Sequence, residues 1–211
     1  MSTFIENQNW RYATKKFDDT KKVSENDLKI LQEAIQLSTS SYGLQLYKVF
    51  IINNPDIRAQ LLPATWNQKQ VVDASHLIVF ANYTKYSEED INDFIQLTAT
   101  TRNIKAETLD GYSGFMKKAL SGLSETDFKN WTGKQSYLAL GNLLNAAAEL
   151  KIDVCPMEGF DAKKYNDILG LNTLNLEVAL VAPIGYRSQD DATQHQKKVR
   201  KSIDELFTTI N

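Results

Sequence analysis

One cysteine and two histidines are the whole thiol and imidazole inventory of 211 residues. A lone Cys155 rules out an intramolecular disulfide and a CxxC pair. Two histidines, His76 and His195, cannot build a HExxH helix or a His-rich metal centre. The nine glycines never fall into GxGxxG or GxxxxGK, which removes the dinucleotide fingerprint and the nucleotide phosphate loop. There is no GxSxG elbow, so Ser75 beside His76 is not a nucleophile–base pair by pattern. His76 is read as a partly buried residue opening a strand, and Cys155 as a small core residue. No apolar run approaches the ~20 residues that span a bilayer. Met1-Ser2-Thr3-Phe4-Ile5-Glu6 lacks the basic-then-apolar start of an export signal. A formal net charge of -2 provides no global field for nucleic acid or an anionic membrane. These absences predict a reduced, cytoplasmic protein with no metal, nucleic-acid or membrane partner. If it does redox work, a bound organic cofactor must carry the electrons.

What remains is enough for one domain over residues 1–211, with 42% hydrophobic and 24% charged residues. Ser24 and Asp27 form a capping-box pattern, and Leu28, Leu31 and Ile35 follow at helical spacing to about Ser38. Residues 47–52 are β-branched and aromatic and end at Asn53-Asn54-Pro55-Asp56, a strand closed by a turn. A helix is expected over 55–62, a doubly buried strand over 76–83, and a helix over 87–98 opening on three acids. Residues 102–128 are more polar and weakly periodic. Residues 133–150 are so apolar all round that the helix belongs at the centre or in an interface. Further strands are expected over 152–157 and 174–186, before a polar and then basic tail. Strands and helices mix without regular alternation, which favours an α+β fold over a doubly wound sheet.

Five segments carry chemistry. Arg11-Tyr12-Ala13-Thr14-Lys15 sets two cations four residues apart, on one face if helical. Ser40-Ser41-Tyr42-Gly43-Leu44-Gln45 offers hydroxyls and backbone amides in a loop. Asn67-Gln68-Lys69-Gln70 precedes the second strand. Pro156-Met157-Glu158-Gly159-Phe160-Asp161 ends a strand at a proline and turns at a glycine, with one acid at its tip. Lys197-Lys198-Val199-Arg200-Lys201 is a late basic run in a mildly acidic chain. Together these segments resemble the flavin-binding framework of the nitroreductase family, nearest its oxygen-insensitive, dimeric FMN branch. The resemblance covers almost the whole chain.

That resemblance implies a mainly antiparallel sheet flanked by helices, in an intertwined homodimer with two FMN sites at the interface. Arg11, Lys198 and Arg200 then gather on the FMN phosphate, while Lys15 reaches the flavin pyrimidine edge. Tyr12, Ala13 and Thr14 complete the N-terminal motif, with Tyr12 and Ala13 standing where relatives often carry histidine or serine. Ser40, Ser41, Gly43 and Gln45 serve the neighbouring subunit's flavin. Asn67 hydrogen-bonds the pyrimidine. Gln70 stands where relatives have a lysine, with Lys69 one residue earlier; the resemblance implies that either Gln70 donates a neutral hydrogen bond or Lys15 carries the positive charge alone, with a lower reduction potential. Backbone N–H groups around Pro156, Met157, Glu158 and Gly159 face flavin N5 and O4. The implied activity is a ping-pong transfer of hydride from NAD(P)H through flavin N5 to a nitroaromatic, quinone or related aromatic acceptor. No side chain need be an essential acid or base. Acceptor selection is assigned to the neighbourhood of Tyr112, Phe115 and Met116. A dihydropteridine or enone reductase, or a non-catalytic flavin-binding or redox-sensing protein, would use the same framework.

Overall fold

Strand β2 (His76–Tyr83) is buried on both sides as far as Asn82, which explains its unbroken apolar run. It pairs antiparallel with β1 (Tyr47–Ile52) and with β4 (Leu176–Gly185). A short β3 (Asp153–Val154) adds to β4, giving the order β1-β2-β4-β3. The structure, a computed structural model, describes residues 2–210. Side chains alternate along β2 because successive Cβ atoms point to opposite faces. Leu77, Val79 and Ala81 pack with Leu61 and Ala64 of α3 (Pro55–Ala64) and Tyr165 of α8 (Ala162–Ile168). Ile78 and Phe80 pack with Leu31 and Ile35 of α2 (Glu25–Gln36) and Leu143 of α7 (Glu125–Glu149). The sheet thus carries helices on both faces, an α+β arrangement, and each buried Leu, Ile or Phe contributes roughly 1.5–3 kcal/mol.

Most expected elements occur, with shifted ends. Ser24 caps α2 by accepting from the Asp27 N–H at 3.1 Å. Helix α7 begins well before residue 133, because Ser124 caps it in the same way and accepts from the Asp127 N–H at 3.1 Å. The strand expected over 152–157 is regular only at Asp153–Val154. Pro156 has no N–H for the ladder, and Met157 rejoins as an isolated bridge to Val181. Helix α5 (Glu88–Arg102) runs past residue 98 and stops at Asn103, which adopts φ 52°. The weakly patterned segment holds α6 (Asp110–Ser121), and Met116 and Leu120 pack there with Ile91 and Ile95 in a third cluster. The remaining helices are α1 (Thr3–Trp10), the single turn α4 (Gln70–Asp73), and α9 (Ile203–Leu206) in the tail. No described helix is long and apolar enough to cross a membrane.

Candidate functional site

Arg11 ends α1 in extended conformation, so the 11–15 motif is not helical as its spacing allowed. Ala13 instead bridges Val154 in parallel, laying the motif along β3 and the turn that follows. Two buried carboxylates hold it there. Asp191, 2% exposed, accepts from the backbone N–H of Lys15 (2.7 Å) and Lys16 (3.1 Å), from Thr193 N–H (3.0 Å) and from the Tyr12 hydroxyl (2.9 Å). Burial alone would push this carboxyl up, but the donors outweigh it and hold it at about 2. Asp153 takes a bidentate pair from Arg187, Nη2 to Oδ1 at 2.7 Å and Nε to Oδ2 at 3.0 Å, and also accepts from Thr14 Oγ1 at 3.2 Å. Arg187 lies over the rings of Trp10 (4.2 Å) and Tyr12 (4.6 Å).

This frame folds the basic tail onto the motif. Lys198 Nζ donates to the Arg11 carbonyl. Burial lowers the pKa of Arg11, and Arg200 lowers it further. Lys198 is lowered by burial, then by Arg11, Arg200 and Arg187. Arg11, Lys198 and Arg200 therefore share one patch, and none has an ion-pair partner among the described residues. Beside them a cleft of about 160 Å³ runs between Trp10, Arg11 and Tyr12 on one side and Gln194 and Lys198 on the other. Like charges gathered without an acid suit a phosphate monoester, which takes several charge-assisted hydrogen bonds.

The 67–70 segment meets the 156–161 turn. Gln68 Nε2 donates to the Gly159 carbonyl at 2.9 Å, and Asn67 holds a left-handed φ of 60°. Trp66, itself at φ 54°, rests its ring where a Cβ on Gly159 would sit, only 3.1 Å away. Gln70, at the start of α4, is 7% exposed. Tyr137 on α7 donates its hydroxyl to Glu158 Oε1, and burial together with that carboxylate pushes the phenol up to about 12. Cys155 is buried and its thiol is pushed up by desolvation, a core residue as expected.

The Ser40–Gln45 loop stands apart within one chain. Ser41 N–H donates to Gln135 Oε1 at 2.7 Å, and Ser40 Oγ accepts from Gln45 N–H at 3.0 Å. Tyr42, Gly43 and Gln45 all have positive φ, and a Cβ on Gly43 would press on Phe94 at 3.2 Å. No hydrogen bond or ion pair among the described residues joins this loop to Arg11, Lys15, Glu158 or Lys198. The two chain ends thus meet at Arg11 and Lys198, the 67–70 segment meets the 156–159 turn at Gln68 and Gly159, and the loop bonds to neither. Asp191, Asp153, Arg187, Trp66 and Tyr137 escaped the sequence reading. Only Asp153, a carboxylate inside the apolar run Ile152–Cys155, left a local signal.

The Nitroreductase family model matches residues 9–186, which contain most of this architecture. The chain belongs to the nitroreductase family. Among the relatives of this nitroreductase, YfkO of Bacillus subtilis strain 168, named as a candidate NAD(P)H nitroreductase, is 32% identical over 96% of this chain and 95% of its own. The major NAD(P)H-flavin oxidoreductase of Aliivibrio fischeri is 31% identical over 95% of each chain. A nitroreductase-type structure from Exiguobacterium sibiricum, solved in complex with FMN, superposes with TM-score 0.84 at 19% identity. That match covers 100% of this chain and 98% of the other, and it shows the fold.

Proposed function

We propose that this protein is an FMN-dependent, NAD(P)H-consuming oxidoreductase that reduces small nitroaromatic, quinone or related acceptors. The observation that carries the reading is the acid-free patch of Arg11, Lys198 and Arg200, brought together from opposite ends of the chain. The tight turn at Gly159 supports it, because it suits the edge of a flat polar ring. Bound FMN supplies the two-electron chemistry between a nicotinamide and the acceptor. Arg11, Lys198 and Arg200 hold the phosphate. Lys15 supplies positive charge to the pyrimidine edge, and Asn67 and Gln70 supply neutral hydrogen bonds there. Gly159 permits close backbone approach, and Tyr137 fixes the Glu158 carboxylate beside it. Tyr12, Ala13 and Thr14 act through the backbone path that Asp191 and Asp153 pin. One cleft used in turn by donor and acceptor predicts ping-pong kinetics.

The assembly belongs to the same reading. Leu37 is 74% exposed, and Phe4, Ile30 and Leu138 also lie open on α1, α2 and α7. Strand β1 is a free sheet edge, and Ile203, Leu206, Phe207 and Ile210 are exposed along the tail. A homodimer would cover this surface and bring Ser40, Ser41, Gly43 and Gln45 to the partner's flavin. Sedimentation at nanomolar concentration should find a dimer, and a folded, FMN-loaded monomer would refute the arrangement.

The test of activity is direct. The protein should purify yellow with about one noncovalent FMN per chain. NADH or NADPH should bleach it anaerobically, and a nitroaromatic or quinone should restore the colour. Colourless protein that fails to take up added FMN would sink the reading. A flavin that neither nucleotide bleaches would make the chain a flavin-binding protein without turnover.

A further inference from the structure

Arg58 on α3 is a buried cation that the fold has not paired with an acid. The residue is 5% exposed. Its Nε donates to the Val71 carbonyl (2.7 Å), Nη2 to Ala74 (2.6 Å) and Nη1 to Ser75 (3.2 Å), closing the carbonyl end of α4. Those bonds use three of the guanidinium's five N–H groups. No ion pair involves Arg58 among the described residues, and Asp73 acts on it only from beyond that range. Arg187 provides the contrast, since the fold gives it Asp153. Buried charges are ordinarily paired, so the two remaining N–H groups on Arg58 call for an acceptor.

The guanidinium borders a cleft of about 450 Å³ between the starts of α2, α3 and β2. Its other polar walls are Lys22, Asn53, His76 and Glu25, the last being the one carboxylate. Ser75 Oγ accepts from the Val23 N–H at 2.8 Å and lies 2.9 Å from His76 Nδ1. A hydroxyl already accepting from Val23 has its own proton to give to Nδ1. With that direction a neutral ring carries its proton on Nε2, which has no hydrogen-bond partner among the described residues. Burial lowers the His76 pKa, and Arg58 and Lys22 add to this against the opposing pull of Glu25, so the ring is neutral at pH 7. The wall is therefore donor-rich, and its volume suits a small molecule.

We propose that this cleft is a second ligand site, which takes the oxyanion group of a small molecule, carboxylate or phosphate, on Arg58, His76 and Lys22. The inference does not depend on flavin, because none of these residues belongs to the candidate FMN site. The test is an NMR titration of the Arg58 Nε–H and His76 ring signals in FMN-supplemented protein. Inorganic phosphate and acetate are added separately at constant ionic strength. At least one anion should give saturable shifts, and His76 should become more basic as it binds. Saturation by both identifies the shared oxyanion chemistry, and saturation by one alone names the source. Lys22→Glu should weaken binding by about tenfold or more, the scale of one charge-assisted contact. His76→Phe, followed through the Arg58 signal, should weaken it by about fivefold, the scale of one neutral hydrogen bond. Arg58→Lys should weaken binding too, and where it fails to fold the other two variants decide. Shifts that do not saturate with either anion, or saturable binding that neither Lys22→Glu nor His76→Phe alters, would overturn the proposal.

Discussion

Asp191→Asn tests the frame that positions the basic patch. The carboxylate is 2% exposed and receives four hydrogen bonds, three of them from backbone N–H groups of Lys15, Lys16 and Thr193. Its carboxyl falls from 3.8 to about 2 on folding despite burial, which corresponds to about 2.5 kcal/mol at 1.36 kcal/mol per pH unit. Asparagine keeps the size but removes the charge and turns an N–H₂ toward one set of donors. The substitution should therefore cost about 2–3 kcal/mol at pH 7. The sign follows from the depressed pKa. The stabilisation is complete above the unfolded value of 3.8 and disappears as pH falls through about 2. Urea unfolding of parent and variant at pH 7 and along an acid series gives both quantities. Equal stability at pH 7, or a gap that persists undiminished at the acid end, would refute the role assigned to Asp191.

Three further outcomes are expected. Arg200→Ala should weaken FMN binding by about 1.5–3 kcal/mol in a fluorescence titration, less at high salt, while added FMN restores near-normal turnover. Retention of FMN as tightly as in the parent would remove Arg200 from the phosphate site. Lys15→Ala, fully loaded with FMN, should still be reduced more slowly by NAD(P)H in stopped flow, because positive charge at the pyrimidine edge is lost. A parent-like rate would return Lys15 to a bystander. Asp153→Ala should lower stability by roughly 3–5 kcal/mol in denaturant titrations, since it leaves Arg187 without its acid in a half-buried setting.

Local pattern determined much of this protein. The β-branched and aromatic run predicts β1, the unbroken apolar run predicts β2, and Ser24 announces a helix because its side chain caps a nearby N–H. The five chemistry-bearing segments were also legible, and their order and residue types pointed to the family that the chain proves to belong to. Ends were less legible. Trp131 and Phe128 extend α7 upstream through a cap at Ser124 that the polar surroundings concealed, and Pro156 cut a strand that its apolar neighbours suggested. Tertiary structure alone decided which groups meet. Asp191 reaches Lys15 across 176 positions, and Arg187 reaches Asp153 across 34. Neither pairing has a local signature, because a carboxylate's partner is set by which strands lie side by side. The acid-free patch on Arg11 and the unpaired Arg58 are of the same kind. Periodicity places a cation on an element, but only the folded chain decides whether an acid stands opposite it.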